Sequence, residues 1–232
     1  MTDVPEGSSV KKPSLLPAYT QISQNMIISN YGAGFGVDND DTSSYYKIYS
    51  NFFYLGGGVK CDYDGHEKHF YENVMLGTTA SCWHTCAYKK GYTDHCYNNT
   101  VIQTKGRKGE TPPAYAIIWF CNKTHPAVIL PDYGNEMLPV IHSNRVYNSN
   151  GTEAFVDCGY SGSNNNVPLK LFMDAGLMQH TEVHPLPTDE QAVQWGREVL
   201  GMATGLATQW HGGTAQARTE QWAVDSGSKG GN

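Results

Sequence analysis

Six asparagines recur through this chain at nearly constant intervals, and that recurrence constrains the fold more than any other feature. Asn25, Asn51, Asn73, Asn99, Asn122 and Asn144 are separated by 26, 22, 26, 23 and 22 residues. Three residues before them stand Ile22, Ile48, Phe70, Cys96, Trp119 and Ile141; two residues after them stand Ile27, Phe53, Met75, Val101, Thr124 and Val146. Nearly all of these neighbours are apolar, so each Asn keeps a fixed phase with two buried positions. A period of this length is that of one coil of a stacked repeat. Coils about 4.8 Å apart place equivalent side chains one above another, so a buried Asn can donate its amide N–H to the carbonyl of the Asn in the next coil. The spacing predicts an Asn ladder that satisfies its own polar groups.

The rest of the chain divides around that repeat. Residues 1–20 read as an extended lead-in, 21–186 as parallel β-helix coils, 187–206 as a C-terminal helix and 207–232 as a flexible tail rich in Gly, Ser, Thr and Gln. The coil from Ile48 to His69 holds the Gly56-Gly57-Gly58 corner, a cysteine and a cluster of acidic and histidine side chains. Ala114–Cys121 is the most apolar run and reads as a buried strand, whereas Gln103–Pro113, with Lys105, Arg107 and Lys108, reads as a basic loop. Thr188-Asp-Glu-Gln191 fits a capping box. Ala192, Trp195, Val199, Leu200 and Ala203 follow at helical spacing, so a helix is expected to start there and to lid the C-terminal end of the coils.

On these residues the chain resembles the right-handed parallel β-helix, pectin-lyase-like superfamily, in particular its right-handed β-helix repeat members, over about residues 15–205. The run LKLFMDAGLMQHTEVHPLPTDEQAVQWGREVLGM resembles the ending of such proteins. The resemblance implies an all-β, right-handed parallel β-helix solenoid with a short C-terminal capping helix. Its functional implication is an extracellular protein that binds or processes a polysaccharide, most naturally an acidic one, as a lyase or hydrolase does. The alternative is a non-catalytic extracellular solenoid that serves structure or assembly.

Composition narrows the setting. With 12% aromatic residues, 25 Gly and only 16% charged residues, the chain suits a turn-rich β protein. A net charge of −6 argues against a general nucleic-acid partner. No apolar run is long enough for a membrane span, and residues 1–20 lack the apolar core of an export signal. Sequons at Asn98, Asn122 and Asn150 nevertheless favour the secretory route and an extracellular or cell-surface location. The chain is therefore expected to be a mature form or a piece of a longer precursor. An uncapped first coil would offer unpaired strand edges for self-association. In an oxidising compartment the even set Cys61, Cys82, Cys86, Cys96, Cys121 and Cys158 reads as disulfides. Cys82-x-His84-x-Cys86 with His95 and Cys96 could instead hold zinc.

Counting forward from the ladder gives a candidate site. Positions 13 residues after successive Asn residues are Asp38, Asp64 and Cys86, and two further on Asp40, His66 and Tyr88; positions 11 after the later ones are Asp62, His84 and Glu110. Coils in register would gather Asp38, Asp40, Asp41, Asp62, Asp64, His66, Glu67 and His84 on one flank. Neighbouring carboxylates raise one another's pKa and serve as acid and base, and they are also hard ligands for Ca²⁺. Asp40, Asp41, Asp64 and His66 are the expected catalytic residues, Asp38, Asp62 and Asp64 the expected Ca²⁺ ligands, and Lys60, His84, Lys105 and Arg107 the expected substrate contacts. Asp40-Asp41, Gly65-His66 and Lys105-Gly-Arg107 resemble three elements of polygalacturonase-like hydrolases. Glu67 replaces a Gly of that pattern, the Arg and Lys are transposed, and its Asn-x-Asp element is absent. Outward members of Tyr45, Tyr46, Tyr49, Phe53 and Tyr54 are expected to form a sugar-stacking platform.

Overall fold

A computed structural model describes residues 16–28, 35–39, 43–61, 65–77, 83–85, 92–104, 114–118, 139–158 and 166–202. The chain is dominated by short parallel strands in three sheets, which it visits in rotation. Sheet A contains β1 (Thr20–Ser23), β4 (Tyr46–Tyr49), β7 (Lys68–Tyr71), β10 (His95–Tyr97) and β13 (Val140–His142). Sheet B contains β2 (Met26–Ile28), β5 (Phe52–Tyr54), β8 (Val74–Leu76), β11 (Thr100–Ile102), β14 (Arg145–Asn148) and β17 (Glu182–Pro185). Sheet C contains β3 (Val37–Asn39), β6 (Val59–Cys61), β9 (Trp83–Thr85), β12 (Ala114–Ile118), β15 (Phe155–Asp157) and β16 (Asn166–Pro168), and among the described residues only the β15–β16 pair is antiparallel.

The corner from sheet A to sheet B is two residues long in every circuit, and its chemistry explains the Asn period. The first corner residue lies in the left-handed region: Gln24, Ser50, Glu72, Asn98 and Ser143 have φ between 51° and 57°. That conformation costs a non-glycine residue roughly 1 kcal/mol or more. The second corner residue is the ladder Asn, whose bonds offset the cost. Asn73 Nδ2 donates to Ile48 O and Tyr71 O at 2.9 Å each and to Asn99 Oδ1 at 3.0 Å. Its own Oδ1 accepts from the backbone N and the Nδ2 of Asn51, both at 3.0 Å. The same pattern joins Asn25 to Asn51 and Asn99 to Asn144.

The ladder corrects one expected rung. Asn99 bonds directly to Asn144, and β10 pairs directly with β13, so Asn122 does not stand between them. The 45-residue gap holds β12, which belongs to the same circuit as Asn99. Asn122 itself lies outside the described residues. After Asn144 the corner pair is His180 (φ 59°) and buried Thr181, with Glu182 N–H donating to Asn144 O at 2.9 Å.

Inside the three sheets, Ile48, Phe53, Val59, Phe70, Met75, Val101, Ile141 and Val146 pack in one apolar cluster. The helix expected as a lid is not the one that reaches the interior. Helix α1 (Leu169–Asp174) is the one that places side chains, Leu169 and Phe172, in that interior cluster. Helix α2 (Asp189–Val199) starts at the expected cap, with Thr188 Oγ1 accepting from Gln191 N–H at 3.2 Å. It lies outside sheet B, where Ala192 and Trp195 cover Phe52, Val74, Leu76 and Ile102. Among the described residues no helix is long and apolar enough to cross a membrane.

The cysteine framework is also corrected. Cys61 and Cys96 are free thiols, both fully buried in the interior cluster. Cys96 occupies the apolar position three before the ladder Asn, so its partners are core side chains and the Asn99 amide at 3.6 Å. Cys158 is disulfide-bonded. Cys82, Cys86 and Cys121 lie outside the described residues. Near Cys61 the interior also holds an ion pair, Lys68 Nζ to Asp94 Oδ2 at 3.5 Å, with both side chains buried. Asp94 Oδ1 accepts the Lys68 backbone N–H at 2.9 Å.

Candidate functional site

The flank reached by counting forward from Asn is arranged differently from expectation. In sheet C, Asp38 is in register with Lys60, and Lys60 with His84. Asp38 forms an ion pair with Lys60 at 3.2 Å. The offset arises because the connections from sheet B to sheet C vary: residues 29–36, 55–58 and 77–82 join successive pairs. A fixed count from the Asn therefore lands on different positions in different circuits. His66, expected on the exposed edge, is 3% exposed and packs against Tyr45 (centroids 5.2 Å apart, edge-on) and Tyr92 (4.0 Å). Asp40, Asp41, Asp62, Asp64, Lys105 and Arg107 lie outside the described residues, and of His84 only the strand position is described.

The expected aromatic platform is likewise redistributed. Phe53 is in the core and Tyr54 packs at the α2 side of sheet B. Tyr45 meets Tyr19 and His66, and Tyr49 joins a stack described below.

The outer face of sheet A carries the accessible cluster of aromatic and titratable side chains. Strand alternation sends Ile48, Phe70, Cys96 and Ile141 inward, so their neighbours point out. Two residues before each Asn, Tyr49, Tyr71, Tyr97 and His142 form one column, with successive ring centroids 5.0, 5.1 and 5.3 Å apart and planes within 9° of parallel. Four residues before Asn51, Asn73 and Asn99, Lys47, His69 and His95 form a second column in register. The His69 and His95 rings stack 4.5 Å apart, 3° from parallel. Tyr19 stands beside them: its hydroxyl lies 3.5 Å from His69 Nε2, and Lys47 Nζ sits 4.4 Å above its ring.

Glu67 joins this face from the corner before β7. It adopts φ 55°, and its backbone N–H donates to Thr93 O at 2.9 Å. Its Oε2 lies 4.0 Å from His69 Nε2. Glu67, His69 and His95 each offer one ligand atom, all within 4.8 Å of one another. Partial burial, with His95 and Lys47 alongside, lowers the His69 pKa to about 4, so its imidazole is neutral at physiological pH. Burial raises the phenols of Tyr71 and Tyr97, which therefore stay protonated.

Counting forward into the turns missed these columns. Reading backward along the strand finds them, because Tyr49, Tyr71, Tyr97 and His142 share one offset from the Asn and Lys47, His69 and His95 share another. Comparison with protein-family models, with curated proteins and with solved structures finds no match to this chain.

Proposed function

We propose that this chain is a right-handed parallel β-helix of the pectin-lyase-like kind, an extracellular protein that binds an acidic polysaccharide along the outer face of sheet A. The observation that supports this most is the unbroken row Tyr49-Tyr71-Tyr97-His142 beside Lys47-His69-His95. Because the rings of the row stack on one another, their faces are occupied and cannot lie against sugar rings. Their rims point outward instead. A phenol both donates and accepts, so the row supplies hydrogen-bonding groups at one per strand in a straight line. A linear polymer with a hydroxyl- and carboxylate-bearing unit suits such a row better than a compact ligand does. Lys47 supplies the positive charge a uronate carboxylate needs, which makes the interaction salt-sensitive.

Binding is favoured over processing because His66, one of the expected catalytic residues, is buried. Asn98 and Asn150 are exposed, as sequons on a secreted protein must be. Titration of the protein with polygalacturonate and with a neutral glucan tests the reading. Wild type should bind the polyuronate in preference, and Tyr71→Ala/Tyr97→Ala should weaken that binding at least tenfold, the sum expected for two lost hydrogen bonds of about 1 kcal/mol each. Equal affinity of the variant and wild type, or no polyuronate binding at all, would remove the proposal.

A further inference from the structure

We propose that Glu67, His69 and His95 form a binding site for a borderline divalent metal ion of the Zn²⁺ class. The site is built by three separate features of the fold. His69 and His95 are cross-strand partners on β7 and β10, both projecting outward, so the parallel register fixes their rings side by side. Glu67 enters from the corner, where its left-handed backbone and the bond to Thr93 O turn its side chain back along β7. The carboxylate and the two imidazoles then converge from adjacent strands and one corner, with their ligand atoms within 4.8 Å.

Chemistry selects the ion. Two imidazole nitrogens and one carboxylate oxygen suit Zn²⁺, Cu²⁺ or Ni²⁺, whereas Ca²⁺ requires six or more oxygen ligands. Bonds of about 2.0–2.2 Å to Zn²⁺ hold tetrahedral ligand atoms roughly 3.3–3.5 Å apart, so the three side chains must close by about 1 Å. Glu67 has the rotatable bonds to do this, and all three residues are only partly buried. The Tyr19 hydroxyl shares His69 Nε2 at 3.5 Å, the outer limit of a hydrogen bond, so an ion displaces a contact of little worth. Three protein ligands leave at least one coordination position for water or for an oxygen of a bound molecule. This site differs from the expected Ca²⁺ set of Asp38, Asp62 and Asp64, and it does not depend on the polysaccharide reading.

Calorimetric titration of chelator-treated protein with Zn²⁺ tests the inference. One Zn²⁺ per chain should bind, Ca²⁺ should not compete, and His95→Ala or Glu67→Gln should weaken binding about a hundredfold while His184→Ala, in sheet B, should leave it unchanged. In the unmutated protein, the ring resonances of His69 and His95 should shift together on adding Zn²⁺, ahead of those of the other histidines. Unchanged Zn²⁺ affinity in His95→Ala and Glu67→Gln, or a first shift at other histidines, would overturn the assignment, whatever the outcome with polygalacturonate.

Discussion

The ladder Asn shows how one side chain can justify both a strained corner and a repeating period. Asn73 has bonds to two backbone carbonyls of its own and the preceding circuit and to two other rungs, and it is buried. Alanine at this position leaves the Asn51 backbone N–H and the carbonyls of Ile48 and Tyr71 without that partner, away from water. Each buried orphan costs about 1–3 kcal/mol, partly relieved by relaxation. Asn73→Ala should therefore lower the unfolding free energy by about 3–5 kcal/mol in urea. Asn25 is exposed at the first rung, and among the described residues its side chain donates to Ser23 O and Asn51 Oδ1, so Asn25→Ala should cost under about 1 kcal/mol. Equal losses at both positions would mean that the ladder's burial is not what gives it weight. The true rungs were legible because the corner must be short and its flanks inward, which fixes apolar residues three before and two after. Asn122 met part of the same pattern through Trp119. Sequence spacing alone cannot distinguish a rung from an Asn that shares the interval without joining the ladder.

At the scale of elements, the strands announced which sheets are covered. In sheet A the alternation is clear, as in Lys47-Ile48-Tyr49 and His69-Phe70-Tyr71. In sheet B, Phe52-Phe53, Val74-Met75-Leu76 and Val101-Ile102 are apolar on both faces, the pattern of a sheet buried on two sides. That pattern marks sheet B as the seat of α2, although the amphipathic stripe of α2 alone pointed equally well to a solenoid end. The helix that reaches the interior, α1, was illegible because it has six residues and no side-chain cap. The docking of α2 depends on Gly196, where an added Cβ would lie 2.6 Å from two atoms of the Phe52 ring. In an isolated helix, Gly→Ala gains about 1 kcal/mol. Here the ring is buried and the helix must lift, so Gly196→Ala should instead destabilise by about 1–3 kcal/mol, as overpacking does. Adding Phe52→Leu should recover part of the loss. Thermal denaturation showing Gly196→Ala more stable than wild type would place α2 elsewhere.

Among the described residues, each circuit pairs with the circuits before and after it in the three sheets, so stacked neighbours support one another around a shared apolar interior. The cysteines report on this arrangement. Cys96 was legible as a core residue, since it holds the place that Ile22, Ile48, Phe70 and Ile141 hold in other circuits, but an even cysteine count suggested pairing instead. The position calls for an apolar interior side chain, a role a buried Cys fills without a cross-link. Cys61 and Cys96 lie in different circuits, on β6 and β10, and are both inaccessible to solvent. Burial also pushes the Cys61 thiol well above its ordinary pKa, which removes the reactive thiolate from the folded protein. Neither cysteine should therefore be alkylated by iodoacetamide in native buffer at pH 8 without an opening of the fold. In increasing urea below the main transition, Cys61 should be labelled before Cys96. Cys61 has the one described circuit β1–β3 beyond its own, whereas Cys96 has the circuit β13–β15 and also α1 packed against the interior. Peptide mass spectrometry of timed samples separates the two sites. Labelling of either cysteine within minutes in native buffer, or its recovery in a disulfide, would contradict the buried thiols; simultaneous labelling at all urea concentrations would show that the circuits open together and would remove the nearest-neighbour account of stability.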